Sequence, residues 1–97
     1  MVIISKAKII EFYENEPKAK ESILYWYNTT LLSNWNDFHS LKKTFNSVDS
    51  IGNDRYVFNS GGNKYRIVAM IHFSTRTVYL RFVGTHKQYD KINCKTI

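Results

Sequence analysis

The residues that can do chemistry are concentrated in the last third of the chain, from Arg55 onward. Arginines recur at alternating positions in strand-like runs, and His86, Lys87 and Tyr89 follow shortly after the last run. An imidazole can give or take a proton near neutral pH, and a guanidinium presents a planar fork of donors that suits phosphate. Metal-free cleavage of RNA needs an acid, a base and cations that stabilise the charged phosphate. The pattern therefore indicates a basic site that holds a polyanion and can cut it.

Each of these side chains has a candidate role. Arg66 lies in the middle of the central strand-like run and would stabilise phosphate, while His86 with Lys87 or Tyr89 would move protons. Four further cations are candidates for binding RNA phosphates: Arg55, Lys64, Arg81 and Lys91. The residues leave open which group is the base and which is the acid. The alternative is that the arginines form a solvated face without a function, and that His86 is a surface histidine at a helix start.

The positive charge is unevenly distributed along the chain. The net charge is +6, but residues 1–53 carry six Lys/Arg and six Asp/Glu. The remaining residues carry eight Lys/Arg against two acids. A basic patch confined to one structural unit is typical of nucleic-acid binding, whereas the alternative is a merely soluble basic surface.

Several other kinds of site are not indicated. Three widely spaced histidines and Cys94 make no metal-ligand pattern, and there is no glycine-rich phosphate loop, serine nucleophile motif or carboxylate pair. We therefore expect no metal and no cofactor. The single cysteine fits a reducing compartment, and we interpret it as incidental. No apolar run is long enough to span a membrane, and Val2–Ile4 is too short for a signal-peptide core. These features predict a cytoplasmic protein without a membrane partner.

The N-terminal part of the chain predicts helices that cover a sheet. At 97 residues the chain has the size of one domain, residues 1–97. Val2 to Ile4 is a β-branched run typical of an edge strand. Ser5 can cap a helix that runs to about Glu14, and Pro17 fits the first turn of a second helix. Two helices joined by so short a break predict a helical hairpin.

The second helix is predicted to end near Leu31, and Ile23, Tyr27 and Leu31 are spaced to pack inwards. A short helix should follow between Trp35 and Phe45, with Asn36 or Asp37 as its N-cap. Residues 46–53 have the composition of a loop.

Three strands are expected next, at about residues 55–59, 64–73 and 76–83, joined by turns at Gly61-Gly62 and Ser74-Thr75. With two-residue turns, Phe58 pairs with Tyr65, and Ala69 pairs with Leu80. One face of the sheet is then apolar and should pack on the helices: Tyr56, Phe58, Tyr65, Ile67, Ala69, Ile71, Phe73, Val78, Leu80 and Phe82. The opposite face carries Arg55, Val57, Asn59, Lys64, Arg66, Val68, Met70, His72, Thr77, Tyr79 and Arg81. A bulge in the third strand would reverse this assignment there.

A helix is predicted directly after the last strand. Gly84 ends that strand, and Thr85 with Gln88 forms a capping box. The helix should run to about Asn93. Its first N–H groups would face the end of the sheet and offer an anion site.

Three segments span most of the chain and carry a recognisable combination of residues. They are Trp35-Asn-Asp-Phe with Leu41-Lys-Lys-Thr-Phe, then Arg55-Tyr-Val-Phe-Asn with Gly62-Asn-Lys-Tyr-Arg-Ile-Val, and then Arg81-Phe-Val-Gly-Thr-His-Lys-Gln-Tyr-Asp. Together they closely resemble the HigB family of type II toxins, within the RelE-like group of ribosome-dependent mRNA interferases.

The resemblance implies a compact α+β fold, with an N-terminal helical hairpin packed on an antiparallel sheet and a short C-terminal helix. It implies cleavage of mRNA in the ribosomal A site, beside 16S rRNA, and neutralisation by a helix-turn-helix antitoxin of the HigA type. RelE-like toxins carry an arginine on a middle strand, which corresponds to Arg66, and acid–base residues after the last long strand, which corresponds to the region of His86, Lys87 and Tyr89. Some members carry paired lysines on the preceding strand, where this chain has only Lys64, so the identity of the base stays open.

Two alternative functions of other classes remain possible besides that of an endoribonuclease. One is a non-catalytic RNA- or ribosome-binding module that inhibits translation without cleavage, because one fold hosts many functions. The other is an inert partner of a DNA-binding protein, which would not be toxic when expressed alone.

Overall fold

A five-stranded sheet is the centre of the fold in the computed structural model, which describes residues 1–97. The strands are β1 (Val2–Ile4), β2 (Asp49–Gly52), β3 (Arg55–Ser60), β4 (Tyr65–His72) and β5 (Thr77–Thr85). Their order across the sheet is β1-β5-β4-β3-β2, and all neighbours are antiparallel except β1 and β5, which are parallel. The α+β class, the antiparallel sheet and the edge strand at Val2–Ile4 are confirmed.

Four α-helices accompany the sheet: α1 (Ala7–Asn15), α2 (Lys20–Leu32), α3 (Phe38–Thr44) and α4 (His86–Tyr89). A 3-10 turn at Pro17–Ala19 joins α1 to α2, and the two helices form the predicted hairpin. The predicted cap at Ser5 is wrong, because Ser5 has a φ of +75° and α1 begins after Lys6 without a side-chain cap. None of the helices has the length and hydrophobicity needed to span a membrane.

The core lies between the helices and one face of the sheet. Trp26 of α2 packs edge-on against Phe58 of β3, with ring centroids 5.2 Å apart. The inward side of α2 is formed by Ile23, Trp26 and Thr30, whereas Leu31 is exposed, contrary to the prediction. The i, i+3, i+7 spacing of the buried residues keeps them on one stripe of the helix.

The predicted N-cap of α3 at Asp37 is confirmed. Its carboxylate accepts a hydrogen bond from the Ser40 N–H at 2.8 Å, and the Ser40 hydroxyl completes a capping box. That backbone hydrogen bond lowers the pKa of the Asp37 carboxyl from its ordinary value. Leu41 is fully buried on the inner side of α3, and Phe38 and Phe45 pack against the core.

The expected loop at residues 46–53 contains a strand, β2, which pairs with β3 at the sheet edge. No side chain of β2 is fully buried, so the strand shows no apolar alternation. Asn53 and Asp54 join β2 to β3, and their φ angles of +53° and +60° are those of a tight hairpin turn. The strand is held by its backbone pairing, which composition does not reveal.

The β3–β4 hairpin has the predicted faces but a different register. Phe58 pairs with Ile67 and Ser60 with Tyr65, two residues away from the expected pairing of Phe58 with Tyr65. The loop therefore has four residues, Gly61–Lys64, and its glycines adopt φ angles of +60° and +70°. A shift of two residues preserves which side chains share a face, because strand side chains alternate with a period of two.

A bulge in the β4–β5 pair reverses the faces over the second half of β5. Ala69 pairs with Leu80 as predicted, but Val68 pairs with Phe82, so Arg81 is an extra residue without a partner. Phe82 consequently lies on the face of Val68, not in the core where it was expected. Val83 packs against the core instead. The bulge also removes Arg81 from the row of alternating side chains to which it was assigned.

The face opposite the helices, here called the outer face, is covered by the C-terminal segment, residues 86–97. Val57 and Val68 on this face are only 5% and 0% exposed. The segment contacts Arg66 through Tyr89 at one end, and its last residue contacts Arg55 at the other. The outer face is thus a second, smaller packing layer and not a fully solvated surface.

Candidate active site

The capping box after β5 is confirmed and fixes the start of α4. Thr85 Oγ1 accepts from the Gln88 N–H at 3.2 Å, and Gln88 Oε1 accepts from the Thr85 N–H at 2.9 Å. The His86 N–H donates to the Lys64 carbonyl at 3.1 Å, which joins α4 to the start of β4. Two N–H groups of this first turn, those of His86 and Gln88, therefore already have partners, which leaves the Lys87 N–H for the predicted anion site.

α4 is also shorter than predicted, since it ends at Tyr89 instead of near Asn93. The Lys91 N–H bonds to the Gln88 carbonyl and the Ile92 N–H to the Tyr89 carbonyl, both i to i−3. These tighter bonds end the α-helix in turns and let the chain cross the outer face.

Arg66 and Tyr89 form the centre of the candidate site. Arg66 lies on β4 opposite Gly84, and its Cζ atom is 6.0 Å from the centre of the Tyr89 ring. Its Nη1 donates to the carbonyl of Asn63 at 3.2 Å, so the guanidinium is held between the loop and the ring. Arg66 takes part in neither of the two ion pairs of the structure. Its charge is therefore available for a phosphate.

Phe82 supports Tyr89 from the other side, with ring centroids 6.4 Å apart. Gly84 makes room for this arrangement. A Cβ at that position would lie 2.5 Å from Phe82 Cζ and 2.7 Å from Gln88 Oε1, closer than atoms pack. A side chain at residue 84 would thus displace either the ring behind Tyr89 or the amide that caps α4.

His86 is paired with a carboxylate that the sequence reasoning did not assign. Its Nδ1 is 3.1 Å from Asp90 Oδ2, and both side chains are about half exposed. When Nδ1 carries the proton toward Asp90, Nε2 is the ring nitrogen that can accept another. The i, i+4 spacing of His86 and Asp90 was the available indication, because residues so spaced are neighbours on a helix.

Cys94, interpreted from the sequence as incidental, contacts Tyr89. The Cys94 Sγ atom is 3.4 Å from the Tyr89 hydroxyl. This hydrogen bond, together with partial burial, raises the pKa of Tyr89 to about 12, although the charge of Arg66 opposes the shift. The phenol keeps its proton at neutral pH, and either it or the thiol can donate in this contact. Because its pKa is raised by folding, its contribution to stability is complete below pH ~10 and is lost as the pH rises toward 12.

Replacing Cys94 with alanine is expected to lower the pKa of Tyr89 from about 12, because the largest cause of the shift is removed. The pKa can be followed by the ¹³Cζ shift of tyrosine in NMR spectra recorded against pH. Tyr56 is the internal control, since burial raises its pKa and it does not depend on Cys94. An unchanged Tyr89 titration in the alanine variant would show that the thiol does not hold the phenol.

The structure brings only some of the predicted site residues together. Arg66, His86 and Tyr89 lie where β4, β5 and α4 meet, and exposed Lys64 and Lys87 border them in the chain. Arg55 lies four residues along β3 from the partner of Arg66, which corresponds to about 13 Å. Its guanidinium donates to the Ile97 main-chain oxygen at 2.7 and 3.2 Å and to the Asn53 carbonyl at 2.8 Å. Arg55 thus holds the C-terminal segment in place.

Arg81 and Lys91 lie apart from this cluster as well, in a groove beside α1. No group of three or more His, Cys, Asp or Glu side chains is placed to hold a metal ion. The arrangement at the centre is a cation, an oriented imidazole and a protonated phenol, which suits proton transfer around a phosphate.

A helical hairpin on one face of a five-stranded sheet, with this cluster at the end of the other face, is the architecture of a RelE-like toxin. The family model described as HigB toxin, the RelE-like toxic component of a toxin–antitoxin system, matches residues 19–92. The chain belongs to this HigB toxin family.

Curated relatives agree with the assignment. The chain is 36% identical over 92 residues to the mRNA interferase toxin HigB of Escherichia coli K12, covering 93% of this chain and 88% of the relative. The mRNA interferase HigB of Shigella flexneri shows the same identity and coverage. An mRNA interferase HigB of Escherichia coli O6:H1 is 27% identical over 94 residues, covering 95% of this chain and 91% of the relative.

Proposed function

We propose that this chain is an endoribonuclease that cleaves mRNA on the translating ribosome, as the toxin of a type II toxin–antitoxin pair. The names of its relatives support cleavage of mRNA. The observation that carries the proposal for this chain is the placement of Arg66 against Tyr89, which lies one helical turn after His86 and directly before its partner Asp90. Side chains alone supply the proton transfers and the positive charge that the reaction needs.

In the proposed reaction the ribose 2′-oxygen attacks the adjacent phosphorus while the bond to the 5′-oxygen breaks. His86 accepts the 2′-hydroxyl proton at Nε2, and Asp90 keeps the ring oriented. Arg66 stabilises the negative charge that develops on the phosphate oxygens. The leaving 5′-oxygen receives its proton from Lys87 or Tyr89. The raised pKa of Tyr89 favours the role of proton donor over that of base.

We infer the partners from the same features. The excess of basic residues after Asn53 matches the polyanionic surface that mRNA and 16S rRNA present in the ribosomal A site. As a HigB-family toxin, the chain should be neutralised by a helix-turn-helix antitoxin of the HigA type, and we propose that it acts in the cytoplasm, where translating ribosomes are found.

Mapping of mRNA 5′ ends after induction of the chain tests this function. New ends inside codons of translated messages are expected within minutes of induction, and uninduced cells are the control. Blocking translation initiation before induction should remove these ends, because cleavage needs a translating ribosome. Ribosomes stalled on intact messages would contradict cleavage and would instead support the RNA- or ribosome-binding module.

A further inference from the structure

A groove of about 670 Å³ lies between α1 and the segment that follows α4, outside the site described above. This volume is within the ~300–1,000 Å³ typical of ligand sites. Three cations line the groove: Lys8 from α1, Arg81 from the β5 bulge and Lys91 from the segment after α4. The one acid in its lining is Glu11, so the groove carries a net positive charge.

The bulge in β5 explains why Arg81 lies in this groove. Without the extra residue, Arg81 would continue the row of outer-face side chains opposite β4. With the extra residue, Arg81 has no partner across the ladder, and its exposed side chain lines the groove beside α1. Bulges commonly redirect a side chain in this way next to functional sites.

The groove is continuous with the candidate active site. Phe82 lines the groove and also packs against Tyr89, which contacts Arg66. Gln88 lines the groove and also caps the helix that begins with His86. A bound polymer that leaves the Arg66 cluster on this side would therefore pass an aromatic ring and then three cations.

We propose that this groove is a second phosphate-binding subsite, which holds single-stranded RNA next to the scissile linkage. The inference rests on the proposed function and names the path of its substrate. Lys8, Arg81 and Lys91 bind successive phosphates, and the edge of Phe82 supports a base, a combination typical of proteins that bind single-stranded nucleic acid. The presence of three exposed donors around two aromatic rings, Phe12 and Phe82, favours RNA over an acidic peptide, which would bring no base to stack.

The test uses the full chain and a fluorescein-labelled 12-nucleotide RNA that is 2′-O-methylated throughout and therefore cannot be cleaved. Lys8→Gln with Lys91→Gln removes two groove charges, both exposed and outside the sheet. Lys18→Gln with Lys43→Gln removes two exposed lysines elsewhere and is the matched control. Arg81→Gln is tested separately. Binding is measured by fluorescence anisotropy against salt concentration.

The groove pair is expected to weaken binding by about 10–30-fold at 0.1 M salt and to reduce the salt slope by about 1.4, because each lost phosphate contact contributes ~0.7. The control pair should bind like the wild type. Equal binding by the groove and control pairs would overturn the subsite, as would a wild type that does not bind the RNA. A 12-residue oligoglutamate that displaces the RNA equally well would also overturn it in favour of an acidic protein partner.

These outcomes are separable from failure of the proposed function. A chain that binds the RNA through the groove but produces no new 5′ ends in cells would refute cleavage and leave the subsite standing. If instead the wild type cleaves mRNA and the groove pair binds RNA as well as the control pair does, the subsite is refuted and the proposed function stands.

Discussion

Replacement of Arg66 with alanine is expected to abolish growth inhibition by the induced chain and to slow mRNA cleavage by about 10²–10³-fold, the usual cost of losing one transition-state donor. Arg66 is the only one of the predicted phosphate-binding arginines that lies beside α4, since Arg55 holds the C-terminal segment and Arg81 lies in the groove. No other arginine can therefore replace its charge. The measurement is the amount of new mRNA 5′ ends at equal protein levels.

Two controls accompany Arg66→Ala. Arg66 contacts only the carbonyls of Asn63 and Tyr65 and the Tyr89 ring, so the variant should lose about 1–3 kcal/mol of stability, measured by urea unfolding, and stay folded. Arg66→Lys keeps the charge but loses the planar fork and should recover only part of the activity. Full toxicity of the alanine variant would remove Arg66 from the site.

Replacement of His86 with alanine is expected to lower cleavage by about 10²–10⁴-fold, the usual contribution of a positioned acid or base. His86 is about half exposed at the start of α4, and its side chain is bonded only to Asp90. The fold should therefore be preserved, which circular dichroism and thermal unfolding can check. The amount of new 5′ ends is again the readout.

The orienting role of Asp90 is tested in the same cleavage experiment as His86→Ala. Asp90→Asn should reduce cleavage about as strongly as His86→Ala does, because the amide can donate to Nδ1 and so hold the proton on Nε2, where it blocks the base, and because the amide lacks the charge that stabilises an imidazolium. His39→Ala is the matched control, since His39 is an exposed histidine in α3 and lies outside the site. Loss of activity in His39→Ala, or full activity in His86→Ala, would contradict the assignment of the base.

Several elements that local patterns determine were predicted correctly from the chain, although the cap at Ser5, the inward position of Leu31 and the end of α4 were not. The Thr85 capping box depends on residues three apart and is present as expected, and of the two N-caps predicted for α3, Asn36 and Asp37, the structure shows Asp37. The apolar alternation of β3 and β4 specified their faces even though the hairpin register differs by two residues. A register shift of two residues leaves each side chain on the same face, because side chains in a strand alternate with a period of two.

Three further features were not predicted, and all of them depend on contacts between distant segments. β2 is a strand only because it pairs with β3, and its exposed side chains show no pattern. The β5 bulge depends on how β5 meets β4, and it decided that Phe82 lies behind Tyr89 and that Arg81 lines a separate groove. The Tyr89–Cys94 contact exists because the chain turns back across the sheet after α4.

The sequence by itself thus determined the chemistry available to this protein: an arginine on a central strand, a histidine and a tyrosine on one helical turn, and a basic C-terminal half. Residue types and short-range spacing carry that information, because they follow from covalent order and from helix and strand periods. Only the tertiary structure decided which cations accompany the imidazole. One unpaired residue in β5 leaves Arg81 in a separate groove, and the β3–β4 register leaves Arg55 four residues from the partner of Arg66, because pairing between strands distant in sequence decides which side chains become neighbours.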